Sequence, residues 1–152
     1  MKKRLSPRLK YFCYARPGAY FVTLVTHQRK TLFGEIIDEE MFPTRLAKLA
    51  TEHWFTLPRR IATLALDQMV IMPNHLHGII WLTPENARSL TQIVCHYKAG
   101  VTREYQAHQP LWQRGFYDRV IRNEAELNAI RQYIHDNPQR WHEDRLNRSE
   151  TG

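Results

Sequence analysis

A chain of 152 residues, 43% hydrophobic and 24% charged, has the size and balance of one folded domain with a core of its own. Its 22 Lys and Arg against 15 Asp and Glu leave a net charge of +7, which points to a polyanionic partner, most commonly nucleic acid. The 4 Trp, 7 Tyr and 6 Phe argue against general disorder, and the 2 Cys exclude a disulfide framework or a four-cysteine zinc site.

Taken in chain order, the first feature is basic: Lys2, Lys3, Arg4, Arg8 and Lys10 lie in an arm over residues 1–16. The arm reads either as a first contact with phosphates or as a solvated terminus. Arg16 and Pro17 follow it instead of an apolar signal core, and no apolar run approaches the ~18 residues of a membrane span, so the expectation is a cytoplasmic protein. Tyr20–Thr26, β-branched and aromatic after Pro17–Gly18, predicts a strand. A helix is predicted from about Glu40 to Phe55, with Leu46, Leu49, Ala50 and Trp54 at helical spacing and Pro58 as its stop. Residues 61–72 and 75–82 predict two strands joined at Pro73–Asn74, since Pro presets φ and Asn tolerates unusual φ in a tight turn. A second helix fits Ser89 to Tyr105, on a stripe of Leu90, Ile93, Val94, Tyr97 and Val101.

Leu111–Ile121 reads as a strand weakened by Gly115. The last helix opens at Asn123, with Glu126 as capping partner and Leu127, Ile130 and Ile134 as its stripe. It ends at Asn137, because Pro138 disfavours helical dihedrals in the residue before it, and a polar tail covers 139–152. The order strand, helix, strand, strand, helix, strand, helix is the ferredoxin-like βαββαβ pattern of the α+β class, an antiparallel sheet with one helix added.

Three groups of residues carry chemistry. His75 and His77 lie two apart on a predicted strand, so both imidazoles project from one face and can share a metal; two structural histidines would look the same. Tyr133 and Asn137 are helix neighbours at i and i+4, at the border of the apolar stripe. A core tyrosine and a helix-ending asparagine account for that pair equally well. Basic and aromatic residues interleave at Trp112, Arg114, Phe116, Tyr117, Arg119 and Arg122, and again at Lys98, Arg103 and Tyr105. Such residues neutralise phosphates and stack on unpaired bases, or else form a solvated face beside core aromatics.

As a set these residues resemble a known family. MVIMPNHLHGIIWL (69–82), with Tyr133-Ile-x-x-Asn137-Pro138 downstream, is similar to the single-tyrosine HUH transposases, and more narrowly to the REP-associated tyrosine transposases. GAYFVTLVTHQRKTLFGEI (18–36) and LWQRGFYDRVIRNEAEL (111–127) extend the likeness over nearly the whole chain. The resemblance implies a ferredoxin-like core that cuts and rejoins single-stranded DNA. His75 and His77 match the HUH pair that holds a divalent metal, Mg²⁺ or Mn²⁺, and Tyr133 matches the nucleophile. Asn137 takes the place of the third ligand, which is Gln in mobile relatives and commonly Asn in the REP-associated branch. Tyr117 stands where relatives often carry His, and its role stays open.

The resemblance further implies a single-stranded or hairpin DNA partner, of REP type for that branch, and a monomer in preference to a homodimer. DNA contacts are expected from Lys2, Lys3, Arg4, Arg8, Lys10, Lys98, Arg103, Trp112, Arg114, Tyr117, Arg119 and Arg122. The competing reading is a non-enzymatic RRM-like single-stranded nucleic-acid binder, although no RNP1-like run is present. A metal-dependent hydrolase using water is the third.

Overall fold

The computed structural model describes residues 4–5 and 16–143. In chain order the strands and helices are β1 (Arg4–Leu5), β2 (Gly18–Val25), β3 (Gly34–Ile37), β4 (Glu40–Pro43), α1 (Arg45–Arg60), β5 (Leu64–Met72), β6 (His75–Leu82), α2 (Leu90–Tyr105), β7 (Tyr117–Ile121) and α3 (Glu124–Asp136). Short 3₁₀ turns cover His27–Arg29 and Asn137–Glu143.

Five strands form one antiparallel sheet in the order β1-β7-β2-β6-β5. Its four long strands run fourth, first, third, second, as the ferredoxin-like expectation requires. Alternation along β2 and β6 divides the core between the two faces. Val22, Leu24, Leu76 and Ile80 meet Trp54, Leu57, Ile93 and Tyr97 of α1 and α2 on one side. Phe21 and Ile79 meet Leu127, Ile130 and Ile134 of α3 on the other. Gly78 is required on the first face, because a Cβ there would collide with the Trp54 indole.

Four expectations change. Residues 40–43 belong to a β3–β4 hairpin, not to the first helix, which begins behind its Thr44 cap. The hairpin turns on Asp38 and Glu39, at φ 51° and 65°, a left-handed pair in which Asp is a familiar first residue but Glu an unusual second. Pro58 does not stop α1 but lies inside its last turn, where a missing N–H removes a single bond; the helix closes at Arg60 with Ile61 N–H on the Leu57 carbonyl at 2.8 Å. The last strand starts only at Tyr117, since Gly115 turns the chain at φ 78° and Trp112 makes just an isolated bridge to Thr26. α3 does end at Asp136 with Asn137 as its cap, as expected, but not through the dihedrals: Asn137 stays helical (φ −57°, ψ −46°) although Pro138 follows, its N–H and its side-chain Nδ2 both bonded back into α3.

Candidate functional site

β6 aims His75 and His77 at the α3 face, where they are 0% and 1% exposed and their ring centroids lie 4.6 Å apart. Both rings are held at Nδ1: His77 against Thr23 Oγ1, its cross-strand neighbour, and His75 against Asn74 Oδ1, each at 2.8 Å. Such bonds fix ring orientation and turn the other nitrogen, Nε2, away from that partner. Phe21 stacks on His77 with centroids 5.1 Å apart.

α3 supplies the other half. The Tyr133 ring stands edge-on to His77 at 5.4 Å and to Phe21 at 6.2 Å, while its residue remains 40% exposed. A phenol so placed has one side on the buried imidazoles and one on solvent. One turn on, buried Asn137 donates from Nδ2 to the Tyr133 carbonyl at 3.0 Å. The 3₁₀ turn that follows sets Trp141 over His75, the rings near-parallel with centroids 6.2 Å apart. The structure thus brings His75, His77, Tyr133 and Asn137 together.

The donors suit a hard or borderline divalent cation: two neutral imidazoles and one amide oxygen. Among the described residues no three His, Cys, Asp or Glu group around a metal position, and the Asn137 amide is the further polar group that could join the two imidazoles. Asn137 Oδ1 is buried and accepts no hydrogen bond among the described residues, a costly state that a cation would relieve.

α3 is fastened beside the site by a forked ion pair. Arg131 Nε and Nη2 donate to Asp67 Oδ1 and Oδ2 at 3.0 and 2.6 Å, and Trp81 Nε1 adds a bond to Oδ2 at 3.3 Å. The Arg131 hydrogen bonds hold the Asp67 carboxyl down at about 2. Asp67 occupies the irregularity of β5 between Leu66 and Met69, where the register with β6 shifts.

The basic residues divide. Lys2, Lys3, Arg8 and Lys10 lie outside the described residues, and Arg4 is described by its backbone alone, paired with Asp118. Lys98 and Trp112 turn inward: Lys98 Nζ donates to the Gln113 carbonyl at 3.0 Å and to that of Gly115, and burial pushes its ammonium down to about 8. Trp112 packs edge-on against Phe33 at 5.7 Å. Arg119 is ion-paired with Glu126 at 2.5 Å, whereas Arg103, Arg114 and Arg122 are exposed. Tyr117 shares a row with Thr23 and His77 across three strands, hence a face with the site.

Sequence reasoning passed over Thr23 as part of this site, and took Asn74 for a turn residue. Only cross-strand register reveals Thr23, although a polar residue directly before His75 was a visible hint.

The chain is similar to several known proteins. An uncharacterized protein of Haemophilus influenzae is 34% identical over 94% of this chain and 92% of its own length. A solved REP-associated tyrosine transposase bound to a REP hairpin shares the fold with a TM-score of 0.67 at 20% identity, over 89% of this chain and 73% of the other. A candidate transposase from Deinococcus radiodurans shares it at 0.54 and 18%, over 86% and 97%. The model of the IS200-like transposases matches residues 18–137, from the start of β2 to Asn137. A match of that extent, enclosing both histidines and the α3 tyrosine, settles the family: the chain belongs to the IS200-like transposases.

Proposed function

We propose that the chain is a metal-dependent endonuclease and strand transferase for single-stranded DNA, cutting and rejoining hairpin-forming elements of REP type through a 5′-phosphotyrosine on Tyr133. The observation that carries this reading is the half-exposed Tyr133 phenol standing 5.4 Å, ring to ring, from buried His77 in an IS200-like transposase. The hairpin held by the REP-associated fold relative supports the choice of DNA.

In the proposed step Tyr133 Oη bonds to phosphorus and the P–O3′ bond breaks, leaving a free 3′-OH. The phenolic proton is released and the departing 3′-oxygen takes one up, so protons balance and no nucleotide is consumed. Rejoining is the same exchange reversed. When bound by His75, His77 and Asn137, Mg²⁺ or Mn²⁺ supplies positive charge to a non-bridging phosphate oxygen and polarises phosphorus. The protein's part is placement. Thr23 and Asn74 hold the two rings, the Asn137–Tyr133 bond joins donor and nucleophile on α3, and the Asp67–Arg131 pair seats that helix on its own sheet. One copy of the chain carries every group, in keeping with a single-domain monomer. Exposed Arg103, Arg114 and Arg122, with the basic residues 2–10, supply contacts to phosphates.

The test incubates the protein with end-labelled hairpin oligonucleotides, with and without Mn²⁺, and resolves the products on a denaturing gel. A metal-dependent labelled protein band is expected, lost in Tyr133→Phe with DNA affinity within about twofold of wild type, and lost in His75→Ala. An adduct that survives Tyr133→Phe moves the nucleophile elsewhere, with Tyr117 the first suspect. A native-gel shift without adduct across a hairpin library favours the RRM-like binder.

A further inference from the structure

We propose that Asn74 is a positioning residue that holds His75 in the Nδ1–H tautomer, so that Nε2 keeps its lone pair for a cation. The inference rests on the metal reading above and goes beyond it in naming what sets the ligand's protonation.

The argument is one of donors and acceptors. Asn74 is 1% exposed, and its Nδ2 donates to the Arg29 carbonyl at 3.2 Å. A carbonyl only accepts, so this bond fixes which end of the amide points where. Oδ1 must then be the atom 2.8 Å from His75 Nδ1. An amide oxygen also only accepts, so Nδ1 carries the proton, and a neutral imidazole protonated at Nδ1 has its lone pair on Nε2. The Thr23 hydroxyl beside His77 both donates and accepts, so it orients that ring without dictating its tautomer.

Asn74 is itself anchored. Its carbonyl accepts the Thr26 N–H at 2.9 Å and lies 2.9 Å from the Thr26 hydroxyl, whose single proton it shares with the Lys30 carbonyl at 2.6 Å. Arg29 can offer its carbonyl because Gln28 and Arg29 both sit at φ 55°, in the left-handed region that side-chain-bearing residues rarely adopt. The unusual 3₁₀ turn after β2 thereby gains a purpose: it presents one acceptor to one amide. Metal-binding histidines commonly depend on such outer partners, whose loss weakens metal affinity about 10–100-fold.

The experiment compares wild type, Asn74→Leu and Asn74→Asp. Long-range ¹H–¹⁵N correlation on the metal-free proteins reads the His75 tautomer, and calorimetry reads Mn²⁺ affinity. Wild type is expected to show Nδ1–H at His75. In Asn74→Leu, Nε2–H should appear and Mn²⁺ affinity fall about tenfold or more. Asn74→Asp keeps the acceptor while losing the bond to Arg29, and should restore Nδ1–H with affinity within about threefold of wild type. His75 unchanged in a folded Asn74→Leu protein overturns the proposal, as does an Asp variant no better than Leu. A wild type that binds no Mn²⁺ removes the metal reading instead, and the tautomer comparison then decides the role of Asn74 alone.

Discussion

Lys98 shows how far a single side chain can depart from the use its type suggests. A lysine on an exposed helix would face phosphates, but this one binds two loop carbonyls beside the Trp112 ring. Its folded pKa of about 8 lies below the ordinary 10.5 because burial penalises the charge. A depressed lysine destabilises the fold while both states are protonated, and that cost fades as pH rises from about 8 through 10.5. Wild type should therefore gain on Lys98→Met over this window, on the order of 3 kcal/mol, in urea unfolding curves taken between pH 7 and 11. A flat difference would show that the buried ammonium carries no such cost. Among individual residues, the two histidines were the most legible, because a period of two places them on one face whatever else the strand does. Lys98 and Trp112 were not, since charge and aromaticity do not say which side of a helix or loop faces inward.

Elements depend on pairings that cross the chain. The Asn123 cap and the Leu127, Ile130 and Ile134 stripe of α3 are local signals and could be read directly. The fork from Arg131 to Asp67, 64 residues away, could not. That fork makes α3 sensitive to acid. Asp67 titrates at about 2 in the fold against an ordinary 3.8, so its contribution is complete above about 4 and disappears as pH falls toward 2. Thermal unfolding should find wild type more stable than Asp67→Asn at pH 5, with the two converging near pH 2. Parallel curves at all pH values would assign the loss to shape and not to charge. The β3–β4 hairpin escaped for a different reason. Its turn uses Asp38 and Glu39 where Asn-Gly is usual, so the strongest short-range hairpin signal is missing and helical spacing downstream prevails.

Over the whole molecule, the order of elements together with the ferredoxin-like analogy gave the four long strands of the sheet, because a βαββαβ chain has few unknotted ways to close an antiparallel layer; the short β1 edge was not foreseen. The layer then sorts alternate residues: apolar packing under α1 and α2 on one face, and on the other the two histidines beneath α3 and its Tyr133. The net charge of +7 was equally plain, but its distribution was not. With Lys98 and Arg119 committed internally, Arg103, Arg114 and Arg122 remain as described exposed cations of the expected interface. Changing these three to Gln should lower the slope of log affinity against log salt on single-stranded DNA by about 2, and an unchanged slope would move the interface elsewhere.

The bond from Asn137 Nδ2 to the Tyr133 carbonyl has a kinetic consequence. Under the proposed function, phenol and amide donor ride on the same turn of helix. A displacement of α3 against the sheet would then carry both together, so the two groups would reach a scissile phosphate in one motion.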